Sequence, residues 1–327
     1  MKGLFARRVH FLGFGIPVVA LIAVAVAGVL VVVVAAPRSE DTRPGLDVET
    51  IPVGDAPQAI GYGALGVWVA HGADETLQRV DAERGEPVEL DALPGGVAVT
   101  EDAVWVGFIQ GSKVARVDPS SESRGSVSKV SVGRTPQAVA SDGRSLWVAA
   151  FDEGTIWKID LVSGEVEGEP LRLPDAFPSA IAVGFGSIWV TDVVDDVLIR
   201  IDPESLSVSE TIPVGDSPTG IAAGEGGVWV ANFNDSTVSH IDPATNSEVG
   251  APIVVGGQPS AIAAGDGYVW VARPDDDSII RIDPEESEWT GEVFAVGDQP
   301  QAIAVGAGSV WVANQAEDTV TRLTPQR

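Results

Sequence analysis

A Trp-Val pair that recurs seven times is the feature that most constrains how this 327-residue chain can fold. Successive tryptophans lie 37, 42, 42, 40, 41 and 41 residues apart: Trp68, Trp105, Trp147, Trp189, Trp229, Trp270 and Trp311. A proline stands eleven residues before each tryptophan, and an aspartate stands thirteen residues after each of the first six; the seventh repeat has Thr324 there. Because these offsets are constant, each repeat is predicted to be one structural unit with a connection of variable length.

Each of the first six repeats contains four segments with strand character. β-Branched residues are separated by Gly, Asp and Asn turn clusters, and the repeats have no helical periodicity. Strand A follows the proline, strand B surrounds the tryptophan, strand C precedes the aspartate, and strand D precedes the next Val-Gly pair. The seventh repeat lacks a strand D, and residues 47–54 (DVETIPVG) closely match SETIPVG at 209–215. We therefore predict an all-β, seven-bladed β-propeller of four-stranded blades over residues 47–327, closed by its N-terminal strand.

Two sets of residues predict how the blades pack. The tryptophans lie between aliphatic residues of strand B, and we expect them to pack between blades. Eleven residues after the tryptophan, six repeats have Arg or Lys and the fifth has His240. A basic residue repeated on a middle strand is predicted to pair with nearby carboxylates.

The unit P-x-A-I-A-x-G-x-G-x-V-W-V-A-N-x-x-x-x-T-V-x-R-I-D-P, best seen at 218–243 and 300–325, resembles the YVTN-type propeller repeats. It also resembles the propeller of the virginiamycin B (streptogramin) lyases. The resemblance covers 47–327 and implies the fold. Such repeats serve in lyases and in extracytoplasmic sensor domains of bacterial membrane kinases and regulators, so the resemblance leaves the function open.

The lyase resemblance implies a catalytic histidine with a nearby glutamate and a bound divalent metal. His10 lies beside an apolar segment, and His240 takes a framework position in its repeat. His71, three residues after Trp68 at the expected axial mouth, is the candidate general base, and a polar loop residue is the competing interpretation. No nucleotide-binding glycine motif, G-x-S-x-G elbow or H-E-x-x-H motif is present.

Binding residues are expected where the repeats disagree on one face of the ring. The third residue after each tryptophan varies most, and polar residues follow most of the prolines. We predict that loops D–A and B–C open at one end and form a polar, ligand-binding funnel. Its predicted members are Gln58, His71, Gln137, Asp192, Asn232, Arg273 and Asn314.

Acidic residues crowd the predicted B–C loops, as in Asp74-Glu75, Asp152-Glu153 and Asp275-Asp276-Asp277. Oxygen ligands suit Mg²⁺ or Ca²⁺, but Asp beside Ser, Thr or Gly also forms turns. No D-x-D-x-D-G-type calcium loop is present. We predict no cofactor, with Mg²⁺ or Ca²⁺ as the alternative.

Residues 11–36 form an apolar segment without a charge. As a helix they would reach roughly 39 Å, enough to cross a hydrocarbon core of about 30 Å. Lys2, Arg7 and Arg8 precede the segment, which predicts a cytoplasmic 1–10, a signal-anchor transmembrane helix over 11–36 and a linker over 37–46. A cleaved signal peptide is the alternative. The propeller is thus expected at the cell membrane, outside the cytoplasm.

Composition limits the partners. The chain has 47 acidic and 20 basic residues and a net charge of −27, which disfavours nucleic acid. We predict a monomeric, membrane-anchored binding propeller, a sensor or scaffold, for a small molecule, a cell-envelope component or a protein partner. The first alternative is a streptogramin B lyase-like or lactonase-like metal-dependent enzyme, a carbon-oxygen lyase. The second is a purely structural envelope protein.

Overall fold

The computed structural model describes residues 23–26, 29–32, 46–81, 85–119 and 126–325. The chain divides into two compact units, Met1–Gly45 and Leu46–Arg327. In the first unit, the strand Ala23–Val26 pairs antiparallel with Val29–Val32. The rest of the predicted transmembrane helix lies outside the described residues, as do segment 1–10 and all of the linker except Leu46. Within the described ranges, no helix is long and apolar enough to cross a membrane.

The second unit contains seven antiparallel sheets, and each is built from the four predicted strands in the order A-B-C-D. The strands A are Pro57–Gly63, Pro94–Val99, Ala138–Ser141, Pro178–Gly184, Pro218–Gly224, Ala261–Gly265 and Pro300–Gly306. The strands B are Gly66–His71, Val104–Phe108, Ser145–Ala150, Ser187–Asp192, Gly227–Asn232, Tyr268–Arg273 and Ser309–Asn314.

The two outer strands of each blade differ more in length. The strands C are Thr76–Arg79, Lys113–Asp118, Thr155–Asp160, Val197–Asp202, Thr237–Asp242, Ser278–Asp283 and Thr319–Pro325. The strands D of blades 1 to 6 are Val88–Glu89, Ser126–Ser131, Leu171–Arg172, Ser207–Pro213, Ser247–Glu248 with Ile253–Val254, and Glu288–Ala295. Two short 3-10 helices, Phe151–Glu153 and Pro274–Asp276, lie in the B–C loops of blades 3 and 6.

The ring closes as the sequence predicts. Leu46–Pro52 is strand D of blade 7 and pairs along its whole length with Thr319–Pro325. The strands A of neighbouring blades contact one another all round the ring, including those of blades 7 and 1. The seven-bladed propeller is therefore confirmed, and its ring is closed by pairing the first propeller strand into the last blade.

Each repeated tryptophan packs against the following blade, which confirms the predicted inter-blade role. Trp68 of blade 1 lies in a cluster with Val104 and Val106 of blade 2. Trp311 of blade 7 lies in a cluster with Val67 and Val69 of blade 1. Seven such clusters occupy the seven blade interfaces. The core is thus a ring of similar interfaces.

The basic residue of strand C lies directly opposite the tryptophan in the sheet, as in the pair Trp189 and Arg200. In blades 2, 3, 4 and 7 its cation lies over that tryptophan, most closely in blades 4 and 7, where Arg200 and Arg322 are each 4.9 Å from the ring centroid of Trp189 or Trp311. Carboxylate pairing is also present in five blades: Arg79–Asp81, Arg116–Asp102, Lys158–Glu167, Arg281–Glu292 and Arg322–Glu49. The predicted ion pairs are accompanied by cation–π contacts that the sequence did not indicate.

Candidate functional site

Loops D–A and B–C meet at one end of the ring, which we call the mouth. In six blades, the amide of the fourth residue after the tryptophan donates a hydrogen bond to the carbonyl of the residue before the proline, as from Phe151 to Thr135 at 2.9 Å and from Phe233 to Ser217 at 3.0 Å. Blade 6 has Pro274 at this position. The accepting carbonyl directly precedes the proline that leads into the innermost strand, so these bonds hold the B–C loops of the six blades beside the central channel.

His71 lies at the end of strand B in blade 1 and is fully buried. Its Nδ1 is 2.9 Å from Thr76 Oγ1, and its Nε2 has no hydrogen-bond partner among the described residues. Burial lowers the pKa of His71 to about 4, although the carboxylates of Asp74 and Asp318 act in the opposite direction. The imidazole is therefore uncharged at neutral pH.

The position of His71 is a slot that recurs in every blade. In blade 5 the slot holds Asn232, whose Nδ2 donates to Thr237 Oγ1 at 3.0 Å and to Ser239 Oγ at 3.1 Å. Asn314 makes the equivalent two bonds in blade 7. His71 thus takes the place of a structural asparagine. It has one hydroxyl partner on strand C, Thr76, where the asparagine amide has two.

A glycine in the D–A loop makes room for the slot side chain. A Cβ added to Gly54 would lie 2.9 Å from the His71 ring, and one added to Gly215 would lie 2.6 Å from the side-chain amide of Asn232. These distances are too short for ordinary van der Waals contact. The slot therefore explains the glycine of the Val-Gly pair that precedes these blades.

Asp192 and Arg273 fill the slot in blades 4 and 6. Asp192 Oδ1 accepts the amide of Phe177 at 3.1 Å, while the Arg273 guanidinium pairs with Asp276 at 2.9 Å. All five slot members of the predicted funnel are at most 7% exposed and are bonded within the protein: His71, Asp192, Asn232, Arg273 and Asn314. The structure places them inside the blades instead of on an open wall, so ligand binding by these five stays a prediction.

Gln58 and Gln137, the other two members, are half-buried; Gln58 lies on the innermost strand of blade 1, and Gln137 directly precedes that of blade 3. The side chain of Gln58 donates to the Pro94 carbonyl in blade 2, and that of Gln137 reaches the Ser179 carbonyl at 3.5 Å. Three further residues at this position bond to the next blade in the same way: Ser179, Thr219 and Ser260. These polar residues form an inter-blade belt around the channel.

The acidic residues of the B–C loops accept hydrogen bonds from the D–A backbone. Asp74 Oδ2 accepts the amide of Asp55 at 2.8 Å. Asp196 accepts the amide of Ser217 in the next blade at 2.8 Å, and Asp318 makes the matching bond from blade 7 to blade 1. The acids therefore fix loop conformation and join neighbouring blades.

These contacts do not assemble the donor set that the lyase resemblance implies. Across the described ranges, no three His, Cys, Asp or Glu side chains lie close enough together to hold a metal ion. His71 faces a threonine, and the acids nearest to it cap loop amides. The residues present therefore do not fit a histidine–carboxylate divalent-metal centre, and we derive no chemical step through one.

Half-exposed apolar side chains line the mouth in blades 2 to 6, at positions that sequence reasoning did not single out. They stand four residues after the tryptophan: Ile109, Phe151, Val193, Phe233 and Pro274. Phe177 joins them, since its ring centroid lies 5.5 Å from that of Phe151 and 38% of the residue is exposed. We call these six residues the apolar arc. Blades 7 and 1 have Gln315 and Gly72 at the same position, so the arc does not extend into these two blades.

The comparison with family models places most of the propeller in a known family. Residues 126–327, more than half of the chain, match the model described as the virginiamycin B lyase family. A comparison with curated proteins gives no match.

Solved structures with the same fold include two of virginiamycin B lyase from Staphylococcus aureus. One is a selenomethionine-substituted form, with a TM-score of 0.74 at 17% identity over 86% of this chain and 100% of the other. The second is a catalytically inactive variant with quinupristin, with a TM-score of 0.74 at 16% identity over the same shares. Hydrazine synthase from Kuenenia stuttgartiensis gives a TM-score of 0.71 at 16% identity, over 88% of this chain and 97% of the other. At these identities the likeness establishes the fold alone.

Proposed function

The chain belongs to the virginiamycin B lyase family, and we propose that it is a binding member of that family whose mouth receives a ligand or protein partner outside the cytoplasm. The observation that carries this proposal is the apolar arc. Six half-exposed apolar residues around one channel mouth, two of them aromatic rings in mutual contact, are a surface that binding would shield from water.

Charge around the arc supports a cationic partner. Exposed acids follow the arc residues in the same B–C loops: Asp152 and Glu153 after Phe151, and Asp235 after Phe233. The chain as a whole has a net charge of −27. A partner with an apolar face and flanking positive charges would gain both apolar burial at the arc and attraction from the loops.

The histidines support binding over catalysis. His71 is buried in a slot that other blades fill with asparagine, and His240 stacks on Trp229 where other blades have a basic residue. A general base must reach its substrate through solvent or a pocket. Each propeller histidine thus has a structural explanation that needs no substrate.

The binding proposal is tested by photo-crosslinking in intact cells. A benzophenone amino acid replaces Phe233 in the arc of the full-length chain. The matched control replaces Phe185, which is 45% exposed in the A–B turn of blade 4, at the opposite end of the ring. A discrete crosslinked product at 233 and none at 185 is the expected result. No product at 233, or equal products at both positions, would overturn the proposal.

Membrane anchoring through residues 11–36 and an external propeller are part of the same proposal, supported by the uncharged apolar segment after Lys2, Arg7 and Arg8. The chain contains no cysteine, so single cysteines report topology cleanly. Asp235→Cys should react with a membrane-impermeant maleimide in intact cells, whereas Lys2→Cys should react only after lysis. The reverse pattern would refute this orientation.

A second candidate function is a streptogramin B lyase-like or lactonase-like enzyme. The observation that favours it is the unpartnered Nε2 of His71 in a member of this family. Catalysis by His71 would require the D–A loop containing Gly54 to move, because the ring is fully buried beneath it. Activity that depends on His71 would establish this alternative.

A further inference from the structure

Blade 2 departs from the other blades at four positions of one B–C loop. The slot residue is Phe108, where blades 1 and 4 to 7 have a polar side chain. Gly111 and Ser112 stand where every other blade has at least one acid. Lys113 stands where five other blades have the Thr or Ser of strand C. Concentrated departures within a repeat scaffold are where a blade-specific function is expected.

These departures produce a cavity of about 350 Å³ in the outer part of the mouth end of blade 2. Its apolar wall comes from Ala92, Phe108 and Val132, and Lys113 and Lys129 stand at its polar side. The Phe108 side chain is 2% exposed, and so its ring is held in place by the blade. The volume lies within the range of about 300–1,000 Å³ that is usual for small-molecule sites.

The two lysines are the main charged groups at the cavity. The Lys129 ammonium lies 5.8 Å from the Phe108 ring centroid and 3.5 Å from the Asp91 carboxylate, whose side chain is 81% exposed. No ion-pair partner of Lys113 is found within the described ranges. An exposed ion pair contributes little and is easily replaced by a better-placed anion.

A net charge of −27 does not prevent an anion from binding here. Charges farther away than about 8 Å are largely screened at physiological ionic strength, so the local lysines decide the sign of the field. The B–C loop of blade 2 contributes no carboxylate to oppose them.

We propose that this cavity binds a small molecule that joins an apolar ring to a carboxylate. The ring would occupy the cavity against Ala92 and the accessible edges of Phe108 and Val132, and the carboxylate would accept hydrogen bonds from the Lys113 and Lys129 ammonium groups. Aromatic side chains such as Phe108 favour tilted or offset contact with a second ring. The lysines add charge selectivity to a wall that would accept any ring of this size.

Three fluorinated probes of one shape test the proposal: 6-fluoro-2-naphthoate, the corresponding amide and the corresponding methylamine. Their affinities for the purified full-length chain are measured by fluorine NMR line broadening. The acid should bind about twofold to fivefold more tightly than the amide for each lysine that contributes, and the amine should bind most weakly.

Matched variants locate the site. Lys113→Gln and Lys129→Gln should each reduce the difference in affinity between the acid and the amide. Lys158→Gln alters the one other lysine within the described ranges and should leave all affinities unchanged. The triple change Phe108→Asn, Lys113→Thr and Ala115→Ser reproduces the slot side chains of blade 5 and should abolish binding of both acid and amide. An unchanged melting temperature would show that this variant folds. Equal affinities for acid and amide, or an equal effect of Lys158→Gln, would overturn the proposal.

Discussion

The imidazole of His240 lies flat on the indole of Trp229, with ring centroids 3.8 Å apart and an interplanar angle of 10°. His240 Nδ1 also contacts Ser287 Oγ in the next blade at 2.7 Å. In blades 4 and 7 an arginine stacks on the tryptophan in the same position. His240 is therefore one of several side chains that cover the repeated tryptophan from strand C.

This relationship predicts how the position tolerates change. His240→Arg should alter the free energy of unfolding by less than about 1 kcal/mol, because the arginine can stack as its counterparts do. His240→Ala should lower it by about 1–3 kcal/mol, since the indole face is uncovered. Urea denaturation followed by tryptophan fluorescence measures both. Equal losses of unfolding free energy for the Arg and Ala variants would show that stacking on Trp229 does not stabilise the fold.

His71 predicts a loss of stability at acidic pH. Its pKa is about 4 in the folded protein and 6.5 when unperturbed, so the unfolded chain binds the proton first as the pH falls. Its stabilising contribution is complete above pH 6.5 and is lost between pH 6.5 and about 4. At pH 5 the free energy of unfolding should have fallen by roughly 2 kcal/mol from this group.

The His71→Asn variant isolates that contribution, because asparagine fills the same slot in blades 5 and 7. Denaturant curves at pH 7.5 and pH 5 should show a smaller difference for this variant than for the wild type. A pH dependence that is the same in both proteins would mean that His71 titrates normally in the fold.

The closing strand predicts a contrast between two of its residues. Ile51 is 7% exposed and lies in the cluster of Trp311, whereas Val48 on the same strand is 57% exposed. Ile51→Ala should lower the free energy of unfolding by about 2–5 kcal/mol and Val48→Ala by less than about 0.5 kcal/mol. Chemical denaturation measures the pair, and similar losses for the two variants would be inconsistent with this packing of the closure.

Asp318 predicts an electrostatic link between the first and last blades. Its carboxylate accepts the Ala56 amide at 2.8 Å, so Asp318→Ala should cost about 1–2 kcal/mol of unfolding free energy. Asp275→Ala is the control, since that residue is an exposed acid of the B–C loop in blade 6. A thermal melt of each variant tests this, and a loss at Asp275 as large as that at Asp318 would refute the capping role.

The sequence was sufficient for the architecture because the offsets between Pro, Trp and Asp are constant. They located strands A, B and C in every repeat, and the match of 47–54 to 209–215 located the closing strand. Side-chain exposure at the mouth could not be predicted in this way. A propeller blade is covered on both faces by its neighbours, so variation at the slot of His71 reflects alternative ways of filling a buried space.

The apolar arc was missed for a related reason. The fourth residue after the tryptophan lies at the mouth because its amide donates a hydrogen bond to the carbonyl of the residue before the proline, as from Phe233 to Ser217. The sequence does not reveal this bond. That bond brings two loops together beside the channel. The stacking of Arg200 on Trp189 likewise follows from strand register, which the spacing alone does not specify.

A lyase assay on the purified full-length chain tests the central claim, that this member of the family binds at its mouth without the chemistry of the lyases. The chain is incubated with streptogramin B and Mg²⁺, and the products are separated by liquid chromatography and identified by mass spectrometry. We predict no conversion above the buffer rate, for the wild type as for His71→Ala. Mg²⁺-dependent conversion by the wild type that is lost in His71→Ala and retained in His240→Ala would contradict the account.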